Sequence, residues 1–304
     1  MNTNYIFPSA LVPLRNAVEN AHSLCQYLRM TYLEKIDKDN ECVTLADFGT
    51  QVILNRTLYN SYPNHAVISE ENSYDFLKFT SENQRSFVTS IVSKILNESI
   101  SQEEFIRWLD YGHTSISNKC WVIDPIDGTQ EFLNSNQYVI GIGELENSIP
   151  RFSFLSSFSA FTNQPIHYFT WQGKSYKYYP YDRRMIEIHV SDRNISIARP
   201  YCNNSALSKI YKIDFIEADV FSTLNGYISI ASGESDVLIS LKFANTSLKV
   251  WDHAGGIVLL QNAGGIISDI DGQELDFSQG SLLSKNKGVI LSNGKFHEKL
   301  LLIN

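Results

Sequence analysis

The sequence predicts a layered α/β fold, in which helices pack on sheets, and three observations support this. A chain of 304 residues that is 43% hydrophobic and 19% charged is an ordinary globular protein. Apolar spacing typical of amphipathic helices covers Leu11–Leu33 and Val43–Tyr59, on either side of the polar turn 35–40. Further along the chain, predicted strands and helices alternate irregularly, which favours stacked layers over a parallel barrel.

The remaining elements follow in chain order. Ala66–Ile68 reads as a short strand that ends at Ser69-Glu70-Glu71, and residues 76–109 have a helical period. The unbroken apolar run Cys120–Ile123 predicts a buried strand. Residues 138–179 are rich in β-branched and aromatic residues, so a sheet fits them best.

The second half is predicted to contain shorter elements. Helices are expected at 224–233 and from Trp251 to Gln261, the latter ending before Gly264-Gly265. Strands are expected at 186–190, 215–218 and 236–239. No linker separates independent domains, so we expect two lobes, 1–145 and 146–304, of which the first carries most of the site residues described below.

Composition narrows the class of function. The net charge of −8 argues against a surface for nucleic-acid backbone, and no apolar stretch is long enough to span a membrane. The four cysteines are scattered without metal-binding spacing. We therefore expect a cytoplasmic protein, a monomer, whose partner is a small molecule.

The segment Asp124-Pro125-Ile126-Asp127-Gly128-Thr129 carries the strongest chemical signal. Two carboxylates at the end of a buried strand need a compensating cation, and oxygen-only ligands favour Mg²⁺. Pro125 fixes φ, and Gly128 allows a close backbone approach where helix N–H groups would favour phosphate. A surface turn with two solvated acids is the alternative.

Other acids stand in similar settings. Asp47 lies inside an apolar-periodic helix, Glu70 and Glu71 follow a strand, and Asp252 begins a helix behind Trp251. Each has an ordinary explanation alone, as a satisfied polar group, a solvated loop or a helix cap. No such explanation covers all four acidic clusters at the ends of core elements.

These segments resemble the magnesium-dependent, lithium-sensitive phosphatases related to inositol monophosphatase. The matching pieces, in the family's order, are Val43–Asp47, Ser69–Glu71, Trp121–Thr129, Trp251–Gly256 and Asn262–Gly265. The resemblance implies an αβαβα sandwich that binds two or three Mg²⁺ ions and is inhibited by Li⁺.

The resemblance also implies roles for individual residues. Metal ligands would be Glu70, Asp124, the Ile126 carbonyl, Asp127 and Asp252, with Glu71 an additional candidate for a third, weaker ion. Asp47 and Thr129 would orient and deprotonate the attacking water. Substrate contacts would come from Asp127, Gly128, Thr129, Thr223 and Asp252, the amides of Gly128 and Thr129 holding phosphate oxygens.

The substrate is harder to predict. Glu70 and Asp124 are 54 residues apart, and the insertion at about 74–118 resembles the branch of inositol polyphosphate 1-phosphatases and 3′(2′),5′-bisphosphate nucleotidases. The Lys and Arg that hold the nucleotide's second phosphate in that branch are absent from Thr223–Tyr227 and Asp236–Ser240, and Asn203–Ala206 has no His. Losing such charged bonds lowers affinity by about 1.5–3 kcal/mol each.

Three functions are therefore compared. Because Asn245–Lys249 looks more like the polyphosphate 1-phosphatases, we expect removal of the 1-phosphate from an inositol polyphosphate such as inositol 1,4-bisphosphate, with Lys242 or Lys249 as a candidate replacement charge. The alternative is a bisphosphate nucleotidase that converts 3′-phosphoadenosine 5′-phosphate to AMP. A catalytically inactive, inositol-phosphate-binding regulator is the third, and the complete set of acidic residues argues against it.

Overall fold

The computed structural model of the chain describes residues 6–38, 41–113, 117–159, 162–194, 198–200, 222–240, 248–295 and 297–301. Its layers run in the order helix pair, seven-stranded sheet, helix pair, four-stranded sheet. The predicted layered α/β fold is confirmed.

The first helix pair lies close to its predicted place. After a short 3₁₀ turn at Ser9–Leu11, α1 spans Val12–Thr31 and α2 spans Leu45–Ser61. The helix predicted from Val43 begins two residues later, because Thr44 has extended backbone and caps α2. The predicted polar turn is a hairpin of β1, Ile36–Lys38, and β2, Glu41–Val43.

The insertion forms three helices where the sequence indicated one helical stretch. These are α3, Ser73–Phe79, α4, Glu82–Leu96, and α5, Gln102–Leu109. Side chains of Asn72, Ser81 and Ser101 cap their N-termini, and Asn97 ends α4 in the left-handed region. The apolar period continues across these short interruptions, so the sequence looks like one helix. The capping residues nevertheless end each helix and begin the next.

The large sheet keeps its strands in chain order. Its members are β3, Ala66–Ser69, β4, Lys119–Asp127, β5, Tyr138–Glu146, β6, Ile149–Ser159, β7, Gln164–Trp171, β8, Lys174–Tyr179, and β9, Arg184–Glu187. β3 pairs with β4 in parallel, and the other neighbours are antiparallel. The helix α6, Thr129–Ser135, follows β4 directly. Residue 145, where the sequence placed the lobe boundary, lies in β5 beside a register shift between β5 and β6 at Glu144/Leu145.

The second half of the chain forms the second helix pair and the smaller sheet. α7 spans Thr223–Ala231 and α8 spans Trp251–Asn262, and both pack between the two sheets. The smaller sheet has the order β10, Ala198–Pro200, β11, Val237–Ser240, β13, Val289–Ser292, and β12, Ile266–Ser268. A 3₁₀ turn at Phe277–Gln279 and α9, His297–Leu301, complete the described elements. The strand predicted at 215–218 lies outside the described residues.

The seven-stranded sheet separates two apolar cores. Leu24, Phe48 and Phe154 belong to the core under α1 and α2, and Tyr227 and Leu259 to the core around α7 and α8. The second core requires a close approach of α8 to β5, since a Cβ at Gly143 would lie 2.9 Å from the α8 backbone. Among the described residues, no helix combines the length and apolar character needed to cross a bilayer.

A chain of buried polar groups runs between α1 and the sheet. The ring of His22 lies 2.9 Å from the Tyr138 hydroxyl through Nδ1 and 2.7 Å from Ser156 Oγ through Nε2. The Ser156 hydroxyl continues to His167 Nδ1 at 2.7 Å, and Glu19 lies 3.6 Å beyond His167. Burial lowers the pKa of both imidazoles, that of His22 well below 6.5.

This network predicts a pH dependence of stability. Below about pH 6.5 the unfolded chain takes up a proton at His22 and the folded chain does not, so folding loses stability as pH falls. In His22→Gln, the unfolding free energy should fall less between pH 6.5 and 5, by up to about 1.4 kcal/mol per pH unit. Urea unfolding of wild type and variant measures the difference, and the exposed His189→Gln is the control. Equal slopes for wild type and His22→Gln would contradict the prediction.

Candidate active site

β4 brings two of the predicted carboxylates to the same side of the sheet. Residues three apart in a regular strand point to opposite faces. Here Asp124 lies opposite Gly141 and Asp127 opposite Val139, so three steps on β4 match two on β5. This bulge restores a common direction, and both carboxylates are buried.

Asp127 also fixes the start of α7. One carboxylate oxygen accepts a 2.6 Å hydrogen bond from the Leu224 amide, and the amides of Thr223 and Asn225 and the Ser222 side chain also bond to the carboxylate. Burial raises the pKa of Asp127 to about 6, against the lowering effect of these bonds. The carboxylate therefore joins the end of β4 to a helix 97 residues further along the chain.

Asp47 occupies the first turn of α2. Its Oδ2 accepts hydrogen bonds from the Thr44 hydroxyl at 2.7 Å and from the Thr44 amide at 2.8 Å, and the second of these is half of a capping box. Its Oδ1 lies 3.1 Å from the Thr129 hydroxyl, which is also 3.1 Å from the Ile126 carbonyl. Burial raises the pKa of Asp47 to about 6.

Glu70 and Glu71 follow the last residue of β3, and the backbone of Glu71 is held by a side chain of α2. Gln51 donates to the Glu71 carbonyl at 2.6 Å and accepts from the Glu71 amide at 2.9 Å. It also donates to the Leu109 carbonyl at 2.9 Å, at the end of the insertion. One buried amide therefore positions the two-glutamate element.

The side chain of Glu71 is paired with a buried lysine. Lys38 Nζ lies 3.1 and 3.0 Å from its two carboxylate oxygens. Burial would lower the pKa of Lys38, but the attraction of Glu71 outweighs this and the pKa is raised. The candidate third-ion ligand thus already has a cation beside it.

Asp252 is the second residue of α8, in its first turn, with Val250 as the N-cap. Burial and the nearby Asp127 raise the pKa of Asp252 to about 8, against the attraction of Lys249. The Lys249 ammonium lies 3.6 Å from a Glu41 oxygen and 5.4 Å from the centre of the Trp251 ring. Asp252 and Asp127 are therefore close enough to interact although they are far apart in the sequence.

The electrostatic couplings converge on Asp124. Burial raises its pKa well above the usual value, and four further carboxylates raise it in addition: Glu70, Asp127, Asp252 and Asp47. Burial, Glu71 and Asp252 likewise raise the pKa of Glu70. Oδ1 of Asp124 is buried without a hydrogen-bond partner. A bound cation would satisfy both the unpartnered oxygen and the accumulated negative charge, so the residues fit a hard divalent ion.

These side chains lie in one region but do not form a complete set of metal ligands. Within the described ranges, no three acidic, histidine or cysteine side chains stand close enough to hold an ion as they are. Carboxylates with no cation between them repel one another. To bind an ion, these side chains would have to rotate toward one another. The hydrogen bonds described above would hold the backbone in place meanwhile.

The start of α6 supplies amide donors beside the carboxylates. Gly128 caps the helix at φ +90°, a left-handed conformation that favours glycine. The N–H groups in the first turn of a helix have no partner within it and suit anionic oxygens. Thr223 lies at the start of α7, with its amide directed to Asp127.

Three residues of this region were not predicted from sequence: Lys38, Glu41 and Gln51. A signal for Gln51 was present, because Asp47, Gln51 and Asn55 follow one another at four-residue spacing and so share one face of the helix. Asn55 donates to the carbonyls of Trp108 and Leu109, at 2.9 and 3.2 Å. No comparable pattern marks Lys38 or Glu41, whose contacts depend on the hairpin.

Comparisons with known proteins identify the family and the fold. The model of the inositol monophosphatase family matches residues 14–302. A 3′(2′),5′-bisphosphate nucleotidase of Schizosaccharomyces pombe is 29% identical over 296 residues, 86% of this chain and 83% of the relative. One of Dictyostelium discoideum is 27% identical, covering 86% and 85%. The crystal structure of inositol monophosphatase II from Staphylococcus aureus superposes with a TM-score of 0.65 at 18% identity, covering 95% and 91%.

The Gln51 contacts predict an effect on ion binding. In Gln51→Ala the Glu70-Glu71 backbone loses its support, so the Mg²⁺ concentration for half-maximal thermal stabilisation should rise about tenfold or more. Asn55→Ala is the matched control, because it removes bonds to the insertion but none to Glu71. It should lose stability and keep its Mg²⁺ dependence within about twofold. The same Mg²⁺ shift in both variants would contradict a role specific to Gln51.

Proposed function

This chain belongs to the inositol monophosphatase family and is a phosphoric monoester hydrolase, and we propose that it is a Mg²⁺-dependent 3′(2′),5′-bisphosphate nucleotidase. The observation that carries the substrate class is the shared name of the S. pombe and D. discoideum relatives, each aligned over 86% of this chain. The sequence ranked an inositol polyphosphate first and the nucleotide second, and the relatives reverse that order.

We assign the ion ligands to the carboxylates that raise one another's pKa: Glu70, Asp124, Asp127 and Asp252, together with the Ile126 carbonyl. The unpartnered oxygen of Asp124 supports the assignment. Asp127 is held in place by the Leu224 amide, which bonds to its Oδ2. When bound, Mg²⁺ lowers the pKa of a water and stabilises charge on the phosphoryl and leaving oxygens.

Asp47 and Thr129 are proposed to take the proton of the attacking water. The Thr129 hydroxyl has one hydrogen, so it can donate either to Asp47 or to the Ile126 carbonyl. Donation to Asp47 leaves the carbonyl free and leaves Thr129 lone pairs able to accept from a water. Asp47, with a pKa raised to about 6, is then a stronger base than an exposed aspartate.

Phosphate oxygens are assigned to the amides of Gly128 and Thr129, where the N-terminus of α6 meets the carboxylates. Thr223 would lie across from them at the start of α7. Such donors strengthen their bonds as negative charge grows on the transferred phosphoryl group.

The charge for the second phosphate is assigned to Lys249. Its side chain is one-third exposed and lies near Asp252, with a Glu41 oxygen 3.6 Å from its ammonium group. The other sequence candidates, Lys242, Asn203–Ala206 and Asn245–Ser247, lie outside the described residues.

The substrate assignment is tested by comparing 3′-phosphoadenosine 5′-phosphate with inositol 1,4-bisphosphate. We expect phosphate release from the nucleotide to be faster at equal concentration, to require Mg²⁺ and to fall on addition of Li⁺. Colorimetric phosphate measurement and separation of the AMP product check this. Preference for the inositol substrate would overturn the nucleotide assignment, and release from neither would favour a binding protein without turnover.

Asp124→Asn tests the ion ligands. Without Mg²⁺ the variant should unfold at a higher temperature than wild type, because it removes one buried charge from a repelling group. With Mg²⁺ it should lose most of the metal-dependent gain in stability and at least about a hundredfold in phosphate release. Asp182→Asn, in the exposed turn before β9, is the control and should change neither. Undiminished turnover in Asp124→Asn would contradict the assignment.

A further inference from the structure

A buried ammonium group lies among the carboxylates at the edge of the site. Lys38 is 8% exposed, and its Nζ contacts both oxygens of Glu71 at 3.0 and 3.1 Å. Asp75 and Glu41 place oxygens at 3.6 and 3.7 Å from the same atom. Three carboxylates from separate parts of the chain thus lie around one ammonium group.

The fold holds this cation firmly. Lys38 ends β1, and the hairpin register fixes it opposite Glu41. Glu71 is 2% exposed, and Gln51 fixes its backbone at both amide and carbonyl. A buried lysine is tolerated only when it is paired, and a buried glutamate likewise. Each therefore depends on the other, and the pair stands next to Glu70, whose charge also attracts Lys38.

We propose that Lys38 is a built-in cation that takes the place of a metal ion at Glu71, so that the protein binds two divalent ions where its acidic residues would otherwise admit three. The inference rests on the ion ligands assigned under the proposed function. Glu71 is then a partner of Lys38 that neutralises this edge of the site without exchanging with solvent ions. A divalent ion at Glu71 would face an ammonium about 3 Å from the same oxygens, which repels it.

The hairpin has a second ionic link, from Glu41 to Lys249 beside α8. Lys38 also approaches Glu41, so the charges Glu71, Lys38, Glu41 and Lys249 alternate in sign across the site. Because each carboxylate in this row already has a lysine beside it, no further cation is needed to neutralise it. This supports Lys38 as part of the site's permanent charge.

The number of bound Mn²⁺ ions, measured by equilibrium dialysis of the full chain without substrate, tests the proposal. Wild type and Lys38→Arg should bind two. Lys38→Met, which keeps the length of the side chain and removes the charge, should bind a third. Lys38→Met/Glu71→Gln should return to two, because the vacant carboxylate is then also removed. Glu71→Gln alone should keep two ions, which tests the proposal even where Lys38→Met does not fold.

The results that would contradict this inference differ from those that would contradict the proposed function. Two ions in folded Lys38→Met, or loss of an ion in Glu71→Gln, would overturn the role of Lys38 and leave the other ligands standing. Three ions in wild type would also overturn it. No bound Mn²⁺ in wild type would overturn this inference together with the proposed metal-dependent hydrolysis.

Discussion

Repulsion among buried carboxylates is the constraint on which the rest of the structure depends. Asp47, Glu70, Asp124, Asp127 and Asp252 come from distant parts of the chain, and burial raises the pKa of each. A free chain would keep such groups apart and hydrated. The two apolar cores on either face of the large sheet supply the burial energy that holds them together. A cation then turns an unfavourable arrangement into a binding site.

The scaffold holds these groups by attaching each to the end of an element. Asp47 serves in the capping box of α2, and Asp127 bonds the first amides of α7. Both keep a polar partner that is independent of any ion, which limits how far they can turn away. Asp124 has no such bond at Oδ1, so it depends more than Asp47 and Asp127 on what enters the site. Asp47 and Asp127 therefore also stabilise helix ends, whereas no such structural role is seen for Oδ1 of Asp124.

The sequence was sufficient for the layered class, and it marked the acidic residues that the structure couples electrostatically, because both depend on local patterns. The strand into Asp124 and the helix after Trp251 are short-range signals. The sequence did not predict that the insertion forms three separate helices. Capping residues such as Ser81 begin a new helix but leave the apolar spacing of the segment recognisable. Lys38 was missed for a different reason. Its partner Glu71 is 33 residues away, and a lysine in a polar turn gives no sign of burial.

Substrate identity is the part that local patterns predicted least well. The absence of a Lys and an Arg in two short segments favoured an inositol polyphosphate, whereas similarity over most of the chain favours the nucleotide. Under the proposed function, Lys249 beside α8 supplies this phosphate contact from another element. The proposed ion ligands have no such freedom, because they must converge on one ion.

The bulge in β4 makes this region depend on strand pairing as well as on side chains. If β4 paired with β5 without the bulge, the three-residue spacing would direct one carboxylate to the opposite face of the sheet, even with every side chain retained. A change that makes this pairing regular therefore separates the two carboxylates without altering either of them.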